Sequence, residues 1–142
     1  MVSWLLLKDR LSTRELLKRS MELPNYTCVC CTHQIEESSS HLFILCDFAQ
    51  GCWAKLGLVI NQDDPFTTLD HFRIPLNVPF FKEIIIVMSW CISMQRNDFI
   101  FRGIQPSHDL CWQHFKREIA LLILRASPTK QTPMSQWLEA FV

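Results

Sequence analysis

Cys28, Cys31, His41 and Cys46 are the residues whose types and spacing could do chemistry together; they read C-x2-C, nine residues, then H-x4-C. Two thiolates two residues apart fit on one tight turn and can share a tetrahedral ion. A His and a third Cys arriving from the next segment close the shell. Zn2+ accepts a Cys3His set at bond lengths of about 2.0–2.3 Å. Four protein ligands leave no open coordination position, so such a site is structural rather than catalytic. Zinc is therefore the expected cofactor.

Two alternatives stand beside this reading. The chain has seven cysteines, and buried free thiols are common because Cys packs as a small hydrophobe. The register also has a competitor. Cys30 and His33 are themselves two residues apart, and His33 lies inside the nine-residue gap. Cys28 and Cys31 are preferred because Tyr26-Thr27 and Thr32 can flank them as a short hairpin-like turn, with Cys30 pointing away.

The elements that must position these residues fit one domain, or one domain with a helical extension. A chain of 142 residues can bury about 68–70% of its extended surface, and ten Phe and five Trp are ample for a core. Fourteen basic and fourteen acidic residues give a net charge of zero. That argues against an overtly basic nucleic-acid clamp but leaves room for a local patch. An odd number of cysteines with no signal-peptide pattern fits a reducing, intracellular setting, the nucleus included, better than a disulfide framework. The longest apolar run, Ile84 to Met94, is short of the roughly 20 residues a membrane span needs, so no membrane partner is expected.

Trp4, Leu7 and Leu11 recur at helical spacing. Ser12 with Glu15 forms a capping box that starts a second helix through Leu16, Leu17 and Met21, ending before Pro24. This short helical hairpin carries Lys8, Arg10, Arg14, Lys18 and Arg19. The cluster reads either as a solvated face or as a set of phosphate contacts. Residues 36–40 are polar and loop-like, and His41-Leu42-Phe43 is one helical turn or a short extended piece. Asp47 is placed to cap a helix through Ala49, Trp53 and Leu56 that stops at Gly57.

Residues 59–79, with Pro65, Pro75 and Pro79, break pattern and read as a linker or covering loop, and His71 as a surface or packing residue. From Phe80 to about Phe101, the positions Phe81, Ile84, Ile85, Met88, Cys91 and Ile92 make a broad helical face with Trp90 to its side. The β-branched run Ile84–Val87 resembles a strand, but the length of the segment without Gly or Pro favours helix. Arg96-Asn97-Asp98 reads as the polar end of this helix, engaged in helix-end hydrogen bonds. After a turn at Gly103–Pro106, Ser107 caps a helix carrying Leu110 or Cys111, Phe115, Ile119, Leu122 and Ile123, with Pro128 just past its end. Thr132-Pro133 then reads as N-cap and N1 of a last short helix with Trp137, Leu138 and Phe141. The predicted fold is mainly α: a short helical hairpin and a Cys3His zinc module over residues 1–58, a linker over 59–79, and a helical extension over 80–142 built on two long antiparallel helices. Ile84, Met88, Cys91, Phe115, Ile119 and Leu122 are the expected packing between them.

The residues from Trp4 to Arg14, W-L-L-L-K-D-R-L-S-T-R, resemble the opening of the zinc-binding domain of plant reverse-transcriptase-like proteins, which derive from non-LTR retrotransposons. In that family the opening is followed by C-x2-C, an acidic stretch, H-L-F and Cys, then a Trp. Here Cys28, Cys31, Glu36-Glu37, His41-Leu42-Phe43, Cys46 and Trp53 stand in that order, so the resemblance covers residues 3–57. Pro79-Phe80-Phe81, Trp90, Arg96-Asn97-Asp98, Phe101, Phe115-Lys116 and Leu124-Arg125-Ala126 are similar to the tails of such proteins, less diagnostically. The resemblance implies a C-terminal accessory module that helps hold RNA template or target DNA beside a polymerase. Polymerase and endonuclease motifs are not seen in the chain. With Met1 almost on the opening Trp, it reads as a truncated or domesticated fragment, or as a remnant with no function.

Three functions follow in order of support. The first is a non-catalytic zinc-stabilised domain that binds RNA or single-stranded DNA through Arg10, Arg14, Lys18 and Arg19, with Tyr26 and Phe43 available to stack on bases. The second is a zinc-stapled scaffold that binds protein through the apolar helices. The third, an enzyme pairing Cys91 or Cys111 with His108 or His114, lacks an orienting third group.

Overall fold

The computed structural model describes residues 27, 28, 30, 31, 35, 37, 41–60 and 71–141. The short helical hairpin expected over residues 1–23 lies outside them. Among the described residues the fold is helical, with no strand. After a wide π-helical turn, His41–Leu45, come α1 (Asp47–Ala54), α2 (Arg73–Leu76), α3 (Phe81–Arg102), α4 (His108–Arg125) and α5 (Pro128–Glu139). No helix among the described residues is long and apolar enough to cross a membrane.

The helix ends follow their local chemistry, with three corrections to the sequence reading. First, Asp47 is not the cap of α1. Cys46 holds that position in an extended conformation, and Asp47 is the first helical residue, its carboxylate at the positive end of the helix dipole. The other end is as expected. Gly57 takes a left-handed φ of 75°, its N–H bonds to the Ala54 carbonyl at 2.9 Å, and Leu58 N–H reaches Trp53 O at 3.1 Å. This is a Schellman closure, which only a residue tolerant of positive φ allows.

Second, the segment 59–79 is not irregular throughout. Its end forms the single turn α2, closed by Asn77 at φ 47°, and it sends Phe72 and Leu76 into the core. Pro75 fits there because a first helical turn needs no internal N–H donor. His71 is exposed.

Third, the last helix begins earlier than Thr132-Pro133. Ser127 is the N-cap and Pro128 takes the N1 position, which leaves Pro133 inside α5. Pro128 therefore starts α5 rather than merely following α4; its fixed φ suits a first helical position. Pro133 lacks the N–H for an internal bond, yet the helix continues because Met134, Trp137 and Leu138 pack on the core.

Ser107 caps α4 as expected, accepting from Leu110 N–H at 3.3 Å. Gly103, at φ 68°, ends α3. The most extensive helix packing is of α3 on α4, followed by α4 on α5. Ile84, Met88, Cys91, Phe115 and Ile119 are buried between the elements, and Leu122 packs at their margin. A second aromatic group joins α4 to α5: Trp137 meets Phe115 edge-on at 6.3 Å and Phe80 edge-on at 6.0 Å, and Trp112 stacks on Phe115 at 5.3 Å. The buried residues of the π turn and α1 belong to the same cluster as those of α3, α4 and α5.

Candidate metal centre

The segment around the first two cysteines is held by its own backbone. Cys28 N–H donates to Ile35 O at 2.8 Å, and Cys30 N–H points at Cys28 Sγ at 3.4 Å. The second pair sits on the π turn. Cys46 N–H donates to His41 O at 2.7 Å, an i to i+5 bond that locks the third and fourth residues of the set together. Trp53 Nε1 donates to Phe43 O at 2.8 Å from α1, so the turn is braced from the far side by a fully buried indole.

These turns bring Cys28, Cys31, His41 and Cys46 to one point, their ligand atoms all within 4.8 Å of one another. Cys28 Sγ lies 3.9 Å from Cys46 Sγ, and Cys31 Sγ lies 3.4 Å from His41 Nε2. A tetrahedral zinc shell has edges of about 3.5–3.8 Å at the usual bond lengths. Both separations fit this, and a 4.8 Å separation needs a contraction of about 1 Å. Cys28, His41 and Cys46 are buried and Cys31 is half-buried. Cys30 is not part of the group. His33, the competitor in the alternative register, lies outside the described residues.

Hydrogen bonding to the Cys30 side chain, together with burial, pushes the Cys28 thiol up to about 12. Hydrogen bonding to Cys28 and burial do the same to Cys46, also to about 12. Protein alone therefore holds these sulfurs neutral. Binding of a divalent ion displaces the protons, so affinity falls as pH falls. Three soft sulfurs and one imidazole in tetrahedral reach are the donor set of structural zinc, not of magnesium or calcium.

Residues 1–53 match the family of zinc-binding domains in reverse transcriptase. The match and the four-residue cluster agree on zinc as the cofactor. It is the zinc-binding domain of reverse transcriptase that is matched, not a catalytic domain. The match ends on Trp53, the residue whose indole braces the π turn. No curated protein and no solved structure matches the chain.

The remaining candidate residues fare differently. Arg10, Arg14, Lys18 and Arg19 lie outside the described residues, as does Tyr26. Phe43 is fully buried, so it cannot stack on a base, contrary to expectation; its carbonyl is tied to Trp53 and its ring is part of the core. His108 stacks on Phe48 at 4.7 Å and its Nε2 lies 3.1 Å from Phe48 O, which docks α4 on α1. A Cβ on Gly51 would run into this ring, so the contact needs glycine there. His114 approaches Glu118. Cys111 partners Cys52 at 3.6 Å rather than a histidine. Burial pushes the Cys91 thiol to about 12, and hydrogen bonding to Cys111, with burial, pushes that of Cys52 far above the thiol range. Thiols held neutral in this way are poor nucleophiles.

One pair was missed by sequence reasoning. Arg96 is not a helix-end polar residue but a buried one, and its partner is the fully buried Glu37 from the supposed polar loop. Nη2 donates to Oε1 at 2.7 Å and Nε to Oε2 at 3.1 Å. A signal was present: Arg96 continues the i+4 row Ile84, Met88, Ile92, so its position faces the core. A guanidinium there requires a carboxylate partner.

Proposed function

We propose that this protein is a non-catalytic, zinc-stabilised accessory domain that binds single-stranded nucleic acid weakly and with little sequence preference. The match of residues 1–53 to the zinc-binding domain of reverse transcriptase carries the reading. The basic residues Arg10, Arg14, Lys18 and Arg19 fall inside that matched stretch, immediately before the cysteine turn, and supply the phosphate contacts. If about three of them meet phosphates, the log–log salt slope is about −2 on a single strand. Binding then weakens severalfold between low and physiological salt. Replacing Arg14 and Lys18 together by Ala flattens the slope while the helical circular dichroism stays unchanged. A protein that binds no labelled single strand at low salt, or binds it regardless of salt and of these substitutions, defeats the electrostatic reading.

A protein-binding scaffold is the second reading, favoured by one specific observation. Trp90 and Phe101 are 51% and 79% exposed, and eleven residues apart on α3 they share one face. Leu121 and Leu124 on α4 are exposed as well. Large apolar side chains on neighbouring helices are typical of a surface that meets a partner.

A further inference from the structure

Glu37 lies in sequence between the two ligand pairs, six residues after Cys31 and four before His41. Arg96 sits on α3, beyond the end of the stretch that matches the zinc-binding family. Their side chains are almost fully removed from solvent, at 0% and 7% exposure. The contact is bidentate, through Nε and Nη2, and Nη1 donates to Asn97 Oδ1 at 2.9 Å. A two-point fork fixes the angle of the carboxylate as well as its distance, which a single ammonium contact does not. Neither charge is tolerated in that environment without the other. The Cys31-to-His41 connection is thus pinned at its middle by a residue on a rigid helix.

We infer that Arg96 is a positioning residue for the metal centre: through Glu37 it sets the path of the chain between Cys31 and His41, so zinc affinity depends on a helix outside the zinc-binding match. The inference rests on reading the four-residue cluster as a zinc site. Pinning the connection removes conformational freedom that closure of the shell must otherwise overcome. Coupling is reciprocal, because a bound ion that holds both ligand pairs also keeps Glu37 against Arg96. The helices of the C-terminal half therefore act as part of the metal site.

The test uses the full chain and reads zinc affinity by competition with a chromophoric chelator, together with the visible spectrum of the cobalt(II)-substituted protein. Arg96→Met and Glu37→Gln each weaken zinc binding by about tenfold or more, the range seen when partners outside the ligand shell are lost. In the Glu37→Gln background, Arg96→Met has little further effect, because the two act through one contact. Should Arg96→Met fail to fold, Arg96→Lys keeps the charge and loses the fork. It is expected to weaken zinc severalfold and to broaden the cobalt spectrum. Arg96→Lys with wild-type affinity and spectrum overturns the proposal. So do single variants that lower the melting temperature of zinc-loaded and zinc-free protein equally without changing affinity. Wild-type protein that takes up no zinc overturns the site itself and this proposal with it.

Discussion

Around the metal centre the chain turns repeatedly within a few residues, whereas from Phe81 to Glu139 it runs through three helices in near succession. The first region satisfies its backbone with single, irregular bonds: Cys28 to Ile35, Cys46 to His41, Trp53 Nε1 to Phe43. The second satisfies its backbone within helices and buries Ile84, Met88, Ile92, Phe115 and Ile119 against one another. Short irregular turns gain little from propensity or repeating hydrogen bonds, so a cross-link at their centre matters most there. Long helices gain from packing an apolar face and need no cross-link. Glu37 and Arg96 join the two regimes.

The largest effect that sharpens this contrast is removal of a ligand. Cys46→Ser is expected to abolish zinc retention and to unfold the region around it, since apparent zinc binding in small structural sites is about 10–16 kcal/mol and folding depends on it. Cys30→Ser, which removes no member of the cluster, is expected to keep full metal content. Elemental analysis after gel filtration and near-ultraviolet circular dichroism read both. Loss of zinc in Cys30→Ser would exchange the register, and retention in Cys46→Ser would remove Cys46 from the shell.

Next come paired core truncations, each about 3–5 kcal/mol by denaturant titration of zinc-loaded protein. Trp53→Ala removes the donor that holds Phe43 O in the His41 turn, so it should weaken zinc binding as well as stability. Phe115→Ala should lower stability by a similar amount while changing zinc affinity less than about twofold as long as the chain is folded. Equal effects of the two on zinc affinity would erase the distinction between the regions.

The smallest effect is a pH slope confined to the helical half. Cys91 is raised from an ordinary 9.0 to about 12 by burial, with further upward contributions from Cys111 and Glu118. Below about pH 9 both folded and unfolded chains keep this proton, and its contribution is fully present. Between pH 9 and about 12 the unfolded chain has lost it and the folded chain has not, so unfolding is favoured by about 1.4 kcal/mol per pH unit. Comparing the wild type with Cys91→Ala in denaturant titrations from pH 8 to 10 isolates this slope. An unchanged slope in Cys91→Ala would place the alkaline sensitivity elsewhere.

Much of this molecule is legible in its residues one segment at a time. The spacing of Cys28, Cys31, His41 and Cys46 points to a closed shell because a tetrahedral ion accepts few donor patterns. The apolar rows of residues 81–102 and 108–125 point to helices because the 3.6-residue period leaves few other ways to bury them. Gly57, Gly103 and Ser107 mark helix ends because each has a local stereochemical job there. What local reading could not decide is where unlike segments meet. Nothing near Glu37 distinguishes a buried carboxylate from its exposed-looking polar neighbourhood, and nothing near Phe43 distinguishes a stacking platform from a core ring. Pro133 reads as a helix start until the packing of Trp137 and Met134 is known. Residue type and spacing determined the four-residue cluster and the long helices, since both depend on short-range geometry. The choice of Glu37 as the partner of Arg96, the pairing of Cys52 with Cys111 and the seat of His108 on Phe48 were decided by the tertiary structure alone, because each joins residues about sixty positions apart whose contact exists only once the helices have packed.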